Sequence, residues 1–147
     1  MPKFEQKLEN LYILNQQDIN KVNDNLIKII SDPELLIHAY GNIQSNKGSL
    51  TPGVDPKDTV DGFNRSLVNN ISKQIKEETY KWKYIKQIMI PKPGKKKKRP
   101  LGIPTFTDKL VQEAIRIVLT TIYEPVFQSI ESNHGFRPKK STHSALD

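Results

Sequence analysis

Gln87-Ile-Met-Ile-Pro-Lys-Pro-Gly-Lys-Lys-Lys-Lys-Arg-Pro-Leu-Gly-Ile-Pro-Thr105 reads as two short β-strands joined by a strongly cationic turn. Ile88, Met89 and Ile90 favour an extended chain, and Pro91, Pro93 and Gly94 end that strand and forbid a helix. From Lys92 to Arg99, six of eight side chains are cationic. Leu101, Gly102 and Ile103 resume an apolar extended run, which Pro104 closes. Six like charges on one loop repel each other, and a polyanion would relieve that repulsion. A solvated tip that only aids solubility is the plain alternative. Rigid Pro and Gly punctuation fixes where the charges point, which favours anion binding.

The charge is uneven along the chain. Residues 1–73 carry 8 basic and 9 acidic side chains, whereas residues 74–147 carry 15 basic and 7 acidic. A near-neutral half followed by a basic half points to nucleic acid ahead of an anionic membrane surface. The 147 residues suffice for one domain with a modest core. There is no cysteine, so disulfides and thiolate metal sites are excluded. No apolar run approaches the length of a membrane span, and no signal-peptide core follows Met1. The absence of cysteine and of a signal-peptide core fits a reducing compartment, and a secreted protein is not expected.

Apolar periodicity predicts helices over residues 3–15 (Phe4, Leu8, Leu11, Tyr12) and 18–30 (Ile19, Val22, Leu26, Ile29, Ile30). Ser31-Asp32-Pro33-Glu34 is a helix start, with a capping side chain, a proline in the first turn and an acid near the positive end. Gly41 and Ser45-Asn-Lys-Gly48 break the pattern. Thr51-Pro-Gly-Val-Asp-Pro56 is a turn-rich loop, and a further helix is expected from about Asn64 to Glu78. Tyr80, Trp82 and Tyr84 alternate with Lys81, Lys83 and Lys86. That pattern suits either base stacking with phosphate contacts or a half-buried strand with snorkelling lysines, the strand being favoured. Thr107-Asp108 is a candidate N-cap for a long helix carrying Leu110, Val111, Ala114, Ile117, Val118 and Ile122, which Glu124-Pro125 should end or bend. Asn133-His-Gly-Phe-Arg-Pro138 reads as a sharp turn, extended in charge by Lys139 and Lys140.

Phosphate recognition is the chemistry these residues allow. His38, His134 and His143 are too far apart for a metal site, and no glycine pattern matches a P-loop or dinucleotide fold. Arg99, where the second strand begins, can offer a planar fork to phosphate oxygens. Lys92, restricted between two prolines, supplies a point charge near the other end of the loop. Arg137 suits either a functional contact or a bond to loop carbonyls.

Three blocks resemble the start of a group II intron reverse transcriptase, also called a maturase. They are Ser45-Asn-Lys-Gly-Ser-Leu-Thr-Pro-Gly-Val-Asp55, the long block from Ile90-Pro-Lys-Pro-Gly through Arg99-Pro-Leu-Gly-Ile-Pro-Thr-Phe-Thr-Asp-Lys-Leu to Tyr-Glu-Pro-Val-Phe127, and His134-Gly-Phe-Arg-Pro-Lys-Lys-Ser-Thr-His-Ser-Ala-Leu146. The resemblance implies an α+β fold: N-terminal helices, then the fingers and partial palm of a right-hand polymerase, with a cationic β-hairpin and a long helix. Residues 1–34 would be a helical N-terminal extension, and residues 35–147 the fingers and the start of an incomplete palm.

By the same resemblance, Lys92 and Arg99 would grip the incoming nucleotide triphosphate. Ile103 and Pro104 would pack against the templating base. On the functional one of its two readings, Arg137 would be a template contact. On their charge alone, Lys95, Lys96, Lys97, Lys98, Lys139 and Lys140 would bind RNA phosphates. The family's metal-binding aspartates would lie beyond residue 147. No catalytic or metal-binding residue is therefore expected within this chain, and Mg²⁺ would be a cofactor of the complete enzyme only. Expected partners are intron or other structured RNA, a nucleotide triphosphate in the complete enzyme, and the missing palm and thumb. A non-catalytic RNA-binding subunit of a larger ribonucleoprotein is the rival reading.

Overall fold

The computed structural model describes residues 3–46 and 51–134. In chain order these form α1 (Lys3–Gln17), α2 (Leu26–Ile30), α3 (Pro33–Gln44), a 3-10 turn (Val60–Gly62), α4 (Arg65–Lys76), β1 (Lys86–Pro91), β2 (Lys98–Ile103) and α5 (Phe106–His134). The class is α+β, as expected. The strands pair antiparallel in a two-stranded sheet, with Lys86 opposite Ile103 and Pro91 opposite Lys98.

The expected cap is in place on α3, and α4 has one as well. Asp32 accepts from the Glu34 N–H at 2.9 Å with Pro33 in the first turn, and Asn64 accepts from the Leu67 N–H at 2.8 Å. Gly41 does not interrupt α3, which runs on to Gln44. The helix expected over residues 18–30 shrinks to Leu26–Ile30. Buried Asn15 exchanges two 2.9 Å amide bonds with Asn23, and the Asn20 N–H turns to the Asp18 carboxylate at 3.0 Å. Asn25 then takes a left-handed φ of 57°. Such side chains offer the backbone local partners that compete with a helix, and here they win.

One apolar cluster joins the helices. Leu35, Leu36 and Ala39 of α3 meet Val68 of α4 and Leu110, Ala114 and Val118 of α5, all fully buried, and Phe4 and Leu11 of α1 share the same cluster. The extension expected over residues 1–34 thus contributes to the common core. Tyr40 and Phe63 stack with centroids 3.7 Å apart, and Phe106 meets both edge-on. The Ser72 hydroxyl donates to the Ser31 carbonyl at 2.6 Å, tying α4 to the start of α3.

α5 departs from expectation at both ends. Its cap is Thr105, whose hydroxyl accepts from the Asp108 N–H at 3.3 Å, so the helix begins at Phe106. It continues through Pro125 to His134, so Asn133 and His134, expected in a turn, are helical. Pro125 is itself buried, so the helix keeps it against the body despite the missing N–H. The remainder of that expected turn, with Arg137, Lys139 and Lys140, lies outside the described residues, as does Lys47–Leu50 of the first sequence block.

Because Phe4 is 6% exposed within the shared cluster, Phe4→Ala should destabilise the whole domain by about 3–5 kcal/mol. Urea denaturation followed by circular dichroism and by tryptophan fluorescence should give one coincident, shifted transition. Separate transitions would show that α1 folds apart from the rest.

Candidate nucleic-acid interface

The hairpin projects from the helical body, its close contacts lying chiefly within itself. Every residue from Pro91 to Gly102 is exposed, and the turn is set by Gly94 at φ 71° with the Lys95 N–H donating to the Lys92 carbonyl at 3.1 Å. Antiparallel register places Arg99 opposite Ile90 and Lys98 opposite Pro91, so these two cations point to opposite faces of the ribbon. Lys92 follows directly after β1. The structure therefore brings Lys92, Arg99 and Lys95–Lys98 to one exposed tip, where none forms an ion pair with a described residue. Ile103 is 7% exposed at the root of β2, and Pro104 beside it is half-buried.

An isolated two-stranded hairpin is marginally stable in water, so its roots must be held. Asp108 holds the entry. It is 2% exposed, and its carboxylate accepts from the Tyr80 hydroxyl and from the Lys83 N–H at 2.9 Å. Burial and then the bond to Asp108 push the Tyr80 phenol well above its usual range, so it stays protonated as donor. Asp58 holds the exit. It accepts from the N–H and hydroxyl of Thr107 at 3.1 and 2.7 Å, capping from a distant loop a helix start whose N–H groups lack helical partners.

Lys83 links the two sides. Its ammonium lies 3.1 Å from both Asp55 and Asp58. Burial opposes its charge, but the bonds to Asp58 and Asp55 outweigh that, and its pKa rises. The Lys57 N–H, followed by Lys83, holds Asp55 below the usual carboxylate range.

This arrangement corrects the half-buried strand expected at Tyr80–Lys86. Lys81–Ile85 lies outside the sheet because the Lys83 N–H goes to a carboxylate instead of a neighbouring strand. Lys83 is ion-paired, not snorkelling, while Trp82 and Tyr84 are exposed. Sequence reading missed Asp58, Tyr80 and Lys83 as anchors and cast Asp108 only as a cap. The loop of the first block closes over the same region. Gly53 is buried where a Cβ would come 2.9 Å from the backbone of Pro104 and Thr105, and the Lys109 ammonium reaches the Thr51 carbonyl at 2.7 Å. Among the described residues no group of three His, Asp or Glu side chains could hold a metal ion, and Asp55, Asp58 and Asp108 are engaged as above.

Asp108→Ala would leave the Tyr80 hydroxyl and the Lys83 N–H without their acceptor, at a cost of at least about 2 kcal/mol. Amide exchange at Ile88 and Ile90 should accelerate more than in the exposed control Asp61→Ala. Unchanged exchange would show that the hairpin does not depend on this anchor. Gly53→Ala should cost about 1–3 kcal/mol by overpacking, measured by urea denaturation.

No family model matches the chain. It is similar to the group II intron-encoded protein LtrA of Lactococcus lactis subsp. cremoris, at 45% identity over 139 residues, 95% of this chain and 23% of that protein. It is 40% identical over 142 residues to an uncharacterized 91 kDa protein in cob intron of Schizosaccharomyces pombe, covering 95% of this chain and 17% of that one. Protein YkfC of Escherichia coli is 34% identical over 129 residues, 82% of this chain and 32% of YkfC. The chain spans less than a third of the length of each of these relatives. Over 95% of its own length the chain is a homologue of the group II intron-encoded proteins, the family that its three sequence blocks resemble.

Proposed function

We propose that this chain is the N-terminal fingers portion of a group II intron-encoded RNA-directed DNA polymerase and maturase, which binds intron RNA, template and incoming nucleotide. The observation that carries the reading is the exposed hairpin tip, whose six cations between Lys92 and Arg99 have no ion-pair partner among the described residues, on roots pinned to α5. A fixed, uncompensated cationic surface suits a polyanion. In this reading Arg99 and Lys92 hold the triphosphate, Lys95–Lys98 hold RNA phosphates, and the exposed part of Pro104 is the surface open to a template base above buried Ile103. Arg137, Lys139 and Lys140 extend the RNA contact.

The far half of α5 supports a contact with further polypeptide. Leu119, Tyr123 and Phe127 are exposed at helical spacing and line a groove of about 670 Å³. A palm bearing the Mg²⁺-binding carboxylates would cover it, and catalysis would belong to that assembly. The proposed setting is a bacterial cytoplasm or an organelle interior. Among the described residues no helix is long and apolar enough to cross a membrane.

Replacing Lys95, Lys96, Lys97 and Lys98 by Ala should weaken binding to unrelated RNAs alike. The slope of log affinity against log salt should fall by roughly 0.7 for each single-strand phosphate that the protein no longer neutralises. An unchanged slope would return these lysines to a solubility role. In a polymerising protein that contains this chain, Arg99→Ala should raise the nucleotide KM. Arg99→Lys should reverse only part of that rise, because a point charge does not replace a planar fork.

A further inference from the structure

We propose that Trp82 and Tyr84 form a base-stacking site for single-stranded RNA beside the phosphate-binding hairpin. The site rests on the RNA-binding reading above and adds the chemical group that is recognised. Tyr84 is 89% exposed and Trp82 53%, an unusual placement for two large aromatic rings two residues apart. They are not at the end of a loose loop. Lys83 between them is fixed twice, its N–H on Asp108 and its ammonium on Asp55 and Asp58, so the inward direction is taken and its neighbours are left outside.

The Trp82 ring also meets Tyr80 edge-on with centroids 5.2 Å apart, and Tyr80 is itself held by Asp108. On the other side, Ile85 lies over Gly102, where a Cβ would come 2.8 Å from its Cγ2. The segment is therefore anchored before, between and after its two exposed rings. Preorganised rings lose little freedom when a planar ligand stacks on them.

The electrostatic surroundings select the ligand. Residues 81–99 contain nine cations and no acid, and only Lys83 among them is paired with a described carboxylate. A ligand complementary to this surface carries closely spaced negative charge and exposed planar faces together. Single-stranded nucleic acid has both, whereas a duplex hides its base faces. Base stacking on aromatic side chains tolerates any sequence, so the site would grip unpaired RNA without reading it.

Trp82 is the single tryptophan, so its fluorescence reports the site directly. The chain is titrated with a short single-stranded RNA, with an abasic strand of the same length, and with a duplex of the same sequence. The base-bearing strand should quench Trp82, and the abasic strand and the duplex should bind without comparable quenching. Tyr84→Ala should weaken the base-bearing strand by roughly tenfold while leaving the abasic strand unchanged, and Tyr84→Phe should restore binding. Equal affinity of the base-bearing and abasic strands, in the wild type and in Tyr84→Ala, would overturn the stacking site and leave phosphate binding standing. Failure of every strand to bind would overturn the RNA reading as well. Self-association that Tyr84→Ala abolishes and RNA leaves unaffected would assign the rings to a second copy of the chain and likewise overturn the proposal.

Discussion

The buried carboxylate of Asp108 is the constraint on which the hairpin depends. It sits in the first turn of α5, where the helix favours negative charge, and it takes bonds from Tyr80 and Lys83 on the chain entering β1. Asp58 does the equivalent work for the chain leaving β2, through Thr107. The two carboxylates thus convert the rigidity of a well-packed helix into a fixed origin for a ribbon that has little core of its own.

The same groups separate the charges of the molecule. Asp55 and Asp58 are occupied by Lys83, at the base of the ribbon. The cations of the tip find no such acid among the described residues and stay solvated and mutually repelling. A pairing of Lys95–Lys98 with acids of the body would have folded the tip inward and cancelled its field. Salt screens a surface of this kind over about 8 Å at physiological ionic strength, so the attraction acts at close approach.

Legibility in the sequence followed the range of the interactions. The hairpin was visible because Pro, Gly and β-formers act on their immediate neighbours, and the start of α3 was visible because Asp32 caps a residue two positions away. The loss of helix over residues 18–25 was hidden because it turns on Asn15 meeting Asn23 across a fold-back. The misplaced strand at Tyr80–Lys86 has the same origin: alternation was real, but a carboxylate 25 residues further on had claimed the Lys83 N–H. Asp58 reaches across 49 residues to Thr107, and no local pattern marks such a pair. The tip's charge was legible as composition, whereas the exposure of Trp82 and Tyr84 required knowing which way Lys83 turned.

Anchoring both roots has an evolutionary consequence for the turn between Lys92 and Lys97. Because the bonds to Asp58 and Asp108 close the ribbon below the strands, residues can be added to or removed from the turn without moving the helices. Chain-closure entropy rises only logarithmically, by roughly 0.6 kcal/mol for each doubling of a flexible loop. Insertions of small polar residues would meet little thermodynamic resistance, whereas each added lysine would meet the repulsion of the cations already there, and large apolar groups would meet only solvent. The length of this turn is therefore free to drift, while the spacing from Tyr80 to Lys83 and from Thr105 to Asp108 is not.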